Sequence, residues 1–79
     1  MTSDTVFAPI IRQRLSDELA QRIRGSIAAG ELCSGDQLPP ILEMARNFRV
    51  GAATVREALI RLEAMRLVEI RHGAGVFVR

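Results

Sequence analysis

Residues 39–62 read PPILEMARNFRVGAATVREALIRL, and this stretch decides the fold. On its first side, Ile41, Leu42, Met44, Ala45 and Phe48 make the apolar face of a short helix. Pro39 and Pro40 open that helix, because proline suits a first turn whose N–H groups lack partners anyway. It ends around Asn47 to Arg49. On the second side, Gly51 is an acceptable N-cap, and Val55, Ala58, Leu59, Leu62 and Met65 form the buried stripe of another helix. About two to four residues between two helices is the spacing of a helix-turn-helix.

Working outward, the period changes after Met65. Leu67 to Arg71 and Val76 to Val78 are β-rich runs on either side of His72-Gly73-Ala74-Gly75, which reads as a hairpin. Toward the N-terminus, Ile11, Leu15, Leu19, Ile23 and Ile27 form an i, i+4 ladder that Gly30 stops. Gly25 inside it costs about 1 kcal/mol relative to alanine, so tertiary packing must hold this helix. Residues 30–40 are turn-rich, with Leu32 and Leu38 as apolar anchors and a very short strand possible at Gln37-Leu38. Residues 1–8 show no periodicity and are expected to be a flexible tail. Residues 9–79 are expected to be one domain. Helix, helix, helix, hairpin predicts a winged helix-turn-helix, mainly α with a small β-hairpin.

Composition narrows the function. The chain has 79 residues, 48% hydrophobic and 25% charged, the balance of a single globular domain. At this length only about 60% of the unfolded surface is buried, so stability is marginal. Uncharged stretches such as Val6 to Ile11 are far short of the ~20 residues that span a membrane. Met1 to Val6 carries Asp4 and no basic residue, unlike a signal peptide. A cytoplasmic protein without membrane partners is expected.

Charge is skewed along the chain. Four arginines and six acids precede Arg46, whereas seven arginines and three acids follow from it onward. The skew points to an anionic partner of the C-terminal half. Enzyme chemistry lacks an inventory. With His72 and Cys33 the sole residues of their kinds, and no Tyr, Trp or Lys, no metal quartet can be built without several carboxylates. A Cys33–His72 nucleophile pair has no third orienting group near it in sequence. No catalysis, metal or cofactor is expected in this domain.

A longer frame now emerges: Ile27-x-x-Gly30-x-Leu32-x-x-Gly35-x-x-Leu38-Pro39, then Val50, Thr54-Val55-Arg56-Glu57-Ala58-Leu59, Leu62, Leu67-Val68, Arg71-His72-Gly73-x-Gly75 and Phe77-Val78. It resembles the GntR family of bacterial transcriptional regulators over residues 20–79. Glu57 after Arg56, with Glu63 beyond, looks most like the subgroup typified by the fatty-acid regulator. The resemblance implies a winged helix that reads double-stranded DNA at a palindromic operator. It also implies a larger C-terminal domain, absent here, that binds a small-molecule effector and forms the homodimer.

The resemblance also implies where DNA is met. Arg56, near the start of the third helix and opposite Val55 and Leu59, matches a base-reading arginine, and arginine can donate twice to guanine. Ala52 and Ala53 occupy the first turn of that helix. Thr54 offers a hydroxyl to a phosphate, and Arg46 and Arg49 offer charge to the backbone. Leu42 stands on the DNA-facing first turn of the second helix. His72 and Gly73 form a wing tip for the minor groove, where glycine lets the backbone approach closely.

Some positions depart from the pattern. The family usually has Ser-Glu-Arg where this chain has Pro40, Ile41 and Leu42, and Ser-Arg where it has Gly51 and Ala52. Two base-reading arginines are thus replaced, by Leu42 and Ala52. Glycine is usual at Arg49 and Arg66, where an arginine in a left-handed conformation costs about 1 kcal/mol. The missing arginines, with apolar Leu42 and Ile60, motivate an alternative: a winged helix kept as a protein-interaction module with degraded DNA reading.

Overall fold

A computed structural model describes the backbone of residues 2–79 and the side chains from Ile10 onward. Three helices, α1 (Thr2–Ala28), α2 (Ile41–Phe48) and α3 (Ala52–Ala64), precede two antiparallel strands, β1 (Val68–Arg71) and β2 (Gly75–Val78). This is the winged helix-turn-helix expected. Where a flexible tail was expected over residues 1–8, α1 is helical from Thr2, and Met1 lies outside the described residues. Once a helix is nucleated, each added residue gains a hydrogen bond, so apolar periodicity is not required for it to extend.

The core forms around α3, which packs against α1, α2 and β1. Val55, Ala58, Leu59 and Leu62 are buried to 1% exposure or less, and Leu19, Ala20 and Ile23 of α1, Met44 of α2 and Val68, Val76 and Val78 of the hairpin close around them. The apolar stripes read from sequence are therefore right in their centres and wrong at their ends. Ile11 and Leu15 of the α1 ladder are exposed, as are Leu42 and Phe48 of α2 and Met65 after α3. Arg12 and Asp17 of α1 pair with Glu57 and Arg61 of α3, so α3 reaches this stretch of α1 and leaves Ile11 and Leu15 uncovered on its other side.

All three helices stop the same way. Gly30, Arg49 and Arg66 adopt left-handed φ values of 79°, 56° and 60°. Around each, two backbone bonds recover orphan carbonyls: Glu31 N–H donates to Ser26 and Gly30 N–H to Ile27, Val50 to Ala45 and Arg49 to Arg46, Leu67 to Leu62 and Arg66 to Glu63. This is the Schellman arrangement, which favours glycine because a Cβ is strained there. Arg49→Gly and Arg66→Gly should each raise stability by up to about 1 kcal/mol. That corresponds to a rise of about 4–8 °C in Tm, read by thermal denaturation. Unchanged melting of both variants would refute the strain.

The hairpin pairs Val68 with Val78, Glu69 with Phe77, Ile70 with Val76 and Arg71 with Gly75. The segment before α2 lies along the other edge of β2. Gly35 N–H donates to Val78, Val78 N–H to Asp36 and Leu38 N–H to Val76, and Gln37 bridges to Phe77. Where a very short strand was possible at Gln37-Leu38, a single antiparallel bridge from Gln37 ties the segment before α2 to the wing. No helix among the described residues is long and apolar enough to cross a membrane.

Candidate nucleic-acid interface

The surface of α3 is set by its period. Residues three and four apart stack on one face of a helix, so Thr54, Ala58 and Leu62 share a buried row with Val55 and Leu59 beside it. The opposite row, Ala53, Arg56, Ile60 and Glu63, is exposed. Other charges of α3 are engaged. Arg12 of α1 pairs with Glu57 at 3.2 Å, Arg61 pairs with Asp17, and the Glu63 carboxylate accepts the Ile70 N–H at 2.9 Å. Neither Glu57 nor Glu63 stands three or four residues from Arg56, both have other partners, and Arg56 is exposed.

Thr54 is only 4% exposed, since Ala58 (i+4) and Leu62 (i+8) on its row point into the core; little of its surface is open to a phosphate. Ala52 is half-buried and Ala53 exposed. Arg46 and Arg49, at the end of α2, are both exposed beside the turn into α3. Leu42 is 69% exposed on the first turn of α2.

His72 and Gly73 are exposed at the wing turn, which the Ala74 N–H closes by donating to Arg71 at 3.0 Å and where Gly73 takes a φ of 79°. A groove of about 490 Å³ separates the wing from the start of α2, walled by residues 37–42 on one side and 70–76 on the other. Helix and wing thus offer two separate protrusions: a row on α3 and a turn on the hairpin.

Two wing residues escaped the sequence reading. Arg71 donates from Nε to the Glu69 carboxylate at 3.1 Å and lies 4.5 Å over the ring of Phe77. Residues two apart share a strand face, and Phe77 pairs across from Glu69, so the Glu69-x-Arg71 spacing was the available signal. The hydrogen bond and charge of Arg71 hold the Glu69 carboxyl below the ordinary range. This small surface contribution is present above the usual carboxylate pKa and fades as pH falls through the lowered one. Gln37 is the second. Its partners lie across the fold, and nothing local in the sequence marks them.

Among the described residues no cluster of three His, Cys, Asp or Glu side chains could hold a metal ion. Comparison with known proteins places this geometry. Residues 15–78 match the family model described as bacterial regulatory proteins, gntR family. An uncharacterized HTH-type transcriptional regulator of Mycobacterium tuberculosis is 38% identical over 79 residues, covering 100% of this chain and 33% of the relative. The Uxu operon transcriptional regulator of Escherichia coli is 44% identical over 66 residues, covering 84% of this chain and 26% of its own length. The chain thus spans a third or less of these curated relatives. Among solved structures, the AraR DNA-binding domain in complex with operator ORX1 superposes with a TM-score of 0.80 at 25% identity, covering 82% of this chain and 78% of that one.

Proposed function

The chain belongs to the bacterial regulatory proteins of the gntR family, and from that premise we propose that it is the DNA-reading domain of a transcriptional regulator. In this reading α3 lies in the major groove, the wing turn meets the adjacent minor groove, and arginines at the α2–α3 turn neutralise phosphates. The observation that carries it is the exposed row of α3, where Arg56 stands outward while Glu57 and Glu63 are engaged elsewhere. The relatives named above are regulators rather than enzymes, and AraR is seen on its operator.

The finer features belong to the same proposal. A palindromic operator, a homodimer made through a further C-terminal domain, a small-molecule effector on that domain and a cytoplasmic location fit a regulator whose relatives are about three times longer. The place of Glu57 and Glu63 supports the fatty-acid-regulator subgroup within it. A second reading, a protein-interaction module, is favoured by the exposure of Leu42 at 69% and Ile60 at 59%.

Binding-site selection from random DNA separates the two, since an interaction module enriches no sequence. On the selected operator, Arg56→Ala should weaken binding by about 1–3 kcal/mol with little change in salt dependence, because it removes a base contact. Arg49→Ala should weaken operator and random DNA alike and lower the salt slope by about one unit. Equal loss on operator and random DNA for Arg56→Ala would end its role as a base reader.

A further inference from the structure

We infer that Gln37 is a positioning residue that sets the wing turn against the body of the domain. The inference rests on the wing being a DNA contact, as proposed above. Gln37 lies on the segment before α2, yet its side-chain Nε2 donates to the Ala74 carbonyl at 3.2 Å, across 37 residues of sequence. That bond joins the two walls of the groove between α2 and the wing.

The surrounding backbone aims Gln37 there. Its own residue bridges to Phe77, and Leu38 N–H donates to Val76 at 2.8 Å, so the segment runs alongside β2. β2 itself is tied through Asp36 and Gly35, but these bonds end at Val76 and Val78 and leave the turn beyond Gly75 unsupported by backbone. Gly75 makes room for the side chain. A Cβ there would lie 2.5 Å from Gln37 Nε2, and its φ of 134° disfavours any other residue. Gly75 and Gln37 therefore act as one device, whose bond ends on Ala74, next to the tip at His72-Gly73.

A two-stranded hairpin tip held only by its own turn samples many orientations, and ordering it on DNA is unfavourable. A bond from the body of the domain removes part of that ordering before binding. Gln37 is exposed and makes one neutral hydrogen bond, so its loss should scarcely affect global stability.

The test is a double-mutant cycle on the selected operator. Gln37→Ala and Gln37→Met, the latter keeping the stem and losing the donor, should each weaken binding about five-fold, the usual worth of such a bond. Salt slope should not change, because no charge is involved. In a His72→Ala background the effect should shrink to about two-fold or less, since the tip it positions has been removed. A persisting five-fold loss in that background would mean that Gln37 touches DNA itself, and would overturn the inference. Backbone ¹⁵N relaxation without DNA gives an independent reading: the amides of Gly73 and Ala74 should become more mobile in Gln37→Ala while Tm stays within about 2 °C. Unchanged relaxation would overturn the inference even if the domain selects no DNA, whereas failure to select DNA with loosened amides would strike only the proposed function.

Discussion

Leu42→Arg combined with Ala52→Arg should tighten binding to a guanine-containing operator at least ten-fold over random DNA. Both positions match arginines in the family resemblance, and position 42 is open to solvent while Ala52 is half-buried. Leu42 is 69% exposed on α2, and Ala52 lies one helical turn before Arg56 on α3. Each arginine that reads guanine contributes about 1–3 kcal/mol of discrimination, against a total of about 4–10 kcal/mol separating specific from non-specific binding. The new guanidinium at position 42 would stand an i, i+4 step from Arg46, a repulsion of only a few tenths of a kcal/mol. The unaltered chain should instead prefer T or A at the corresponding steps, where leucine and alanine meet thymine methyls. Site selection on both proteins decides the matter. Identical selected motifs would show that positions 42 and 52 do not face the bases.

Leu62→Ala should have the largest effect on stability, lowering it by about 2–5 kcal/mol. Leu62 is fully buried in the last turn of α3 and belongs to the cluster that joins helices and hairpin. A domain of this size has about 4–12 kcal/mol in all, so the variant should melt more than about 10 °C lower. Ile60, two residues away and 59% exposed, is the control. Ile60→Ala should stay within about 0.5 kcal/mol of the parent. Urea or thermal denaturation reads both; similar losses would contradict the placement of the α3 rows.

The sequence by itself determined the order of elements, the helix-turn-helix and the wing. Pro39-Pro40, Gly51 and the loop at residues 72–75 mark boundaries through local backbone chemistry, and the apolar period names each helix. The family resemblance, with glycine usual at both positions, pointed to strain at Arg49 and Arg66, and the structure gives them φ values of 56° and 60°. Tertiary structure alone decided which members of each apolar stripe are covered. Ile11 and Leu15 are exposed although α3 reaches Arg12 and Asp17 beside them, and Met65 because it lies just past the end of α3. It paired Glu57 with Arg12 and Glu63 with the Ile70 amide, leaving Arg56 outward. The Gln37–Ala74 bond is the extreme case, joining residues 37 apart. Periodicity is a property of neighbours along the chain, while coverage, ion pairing and wing support depend on where other elements end and how they pack.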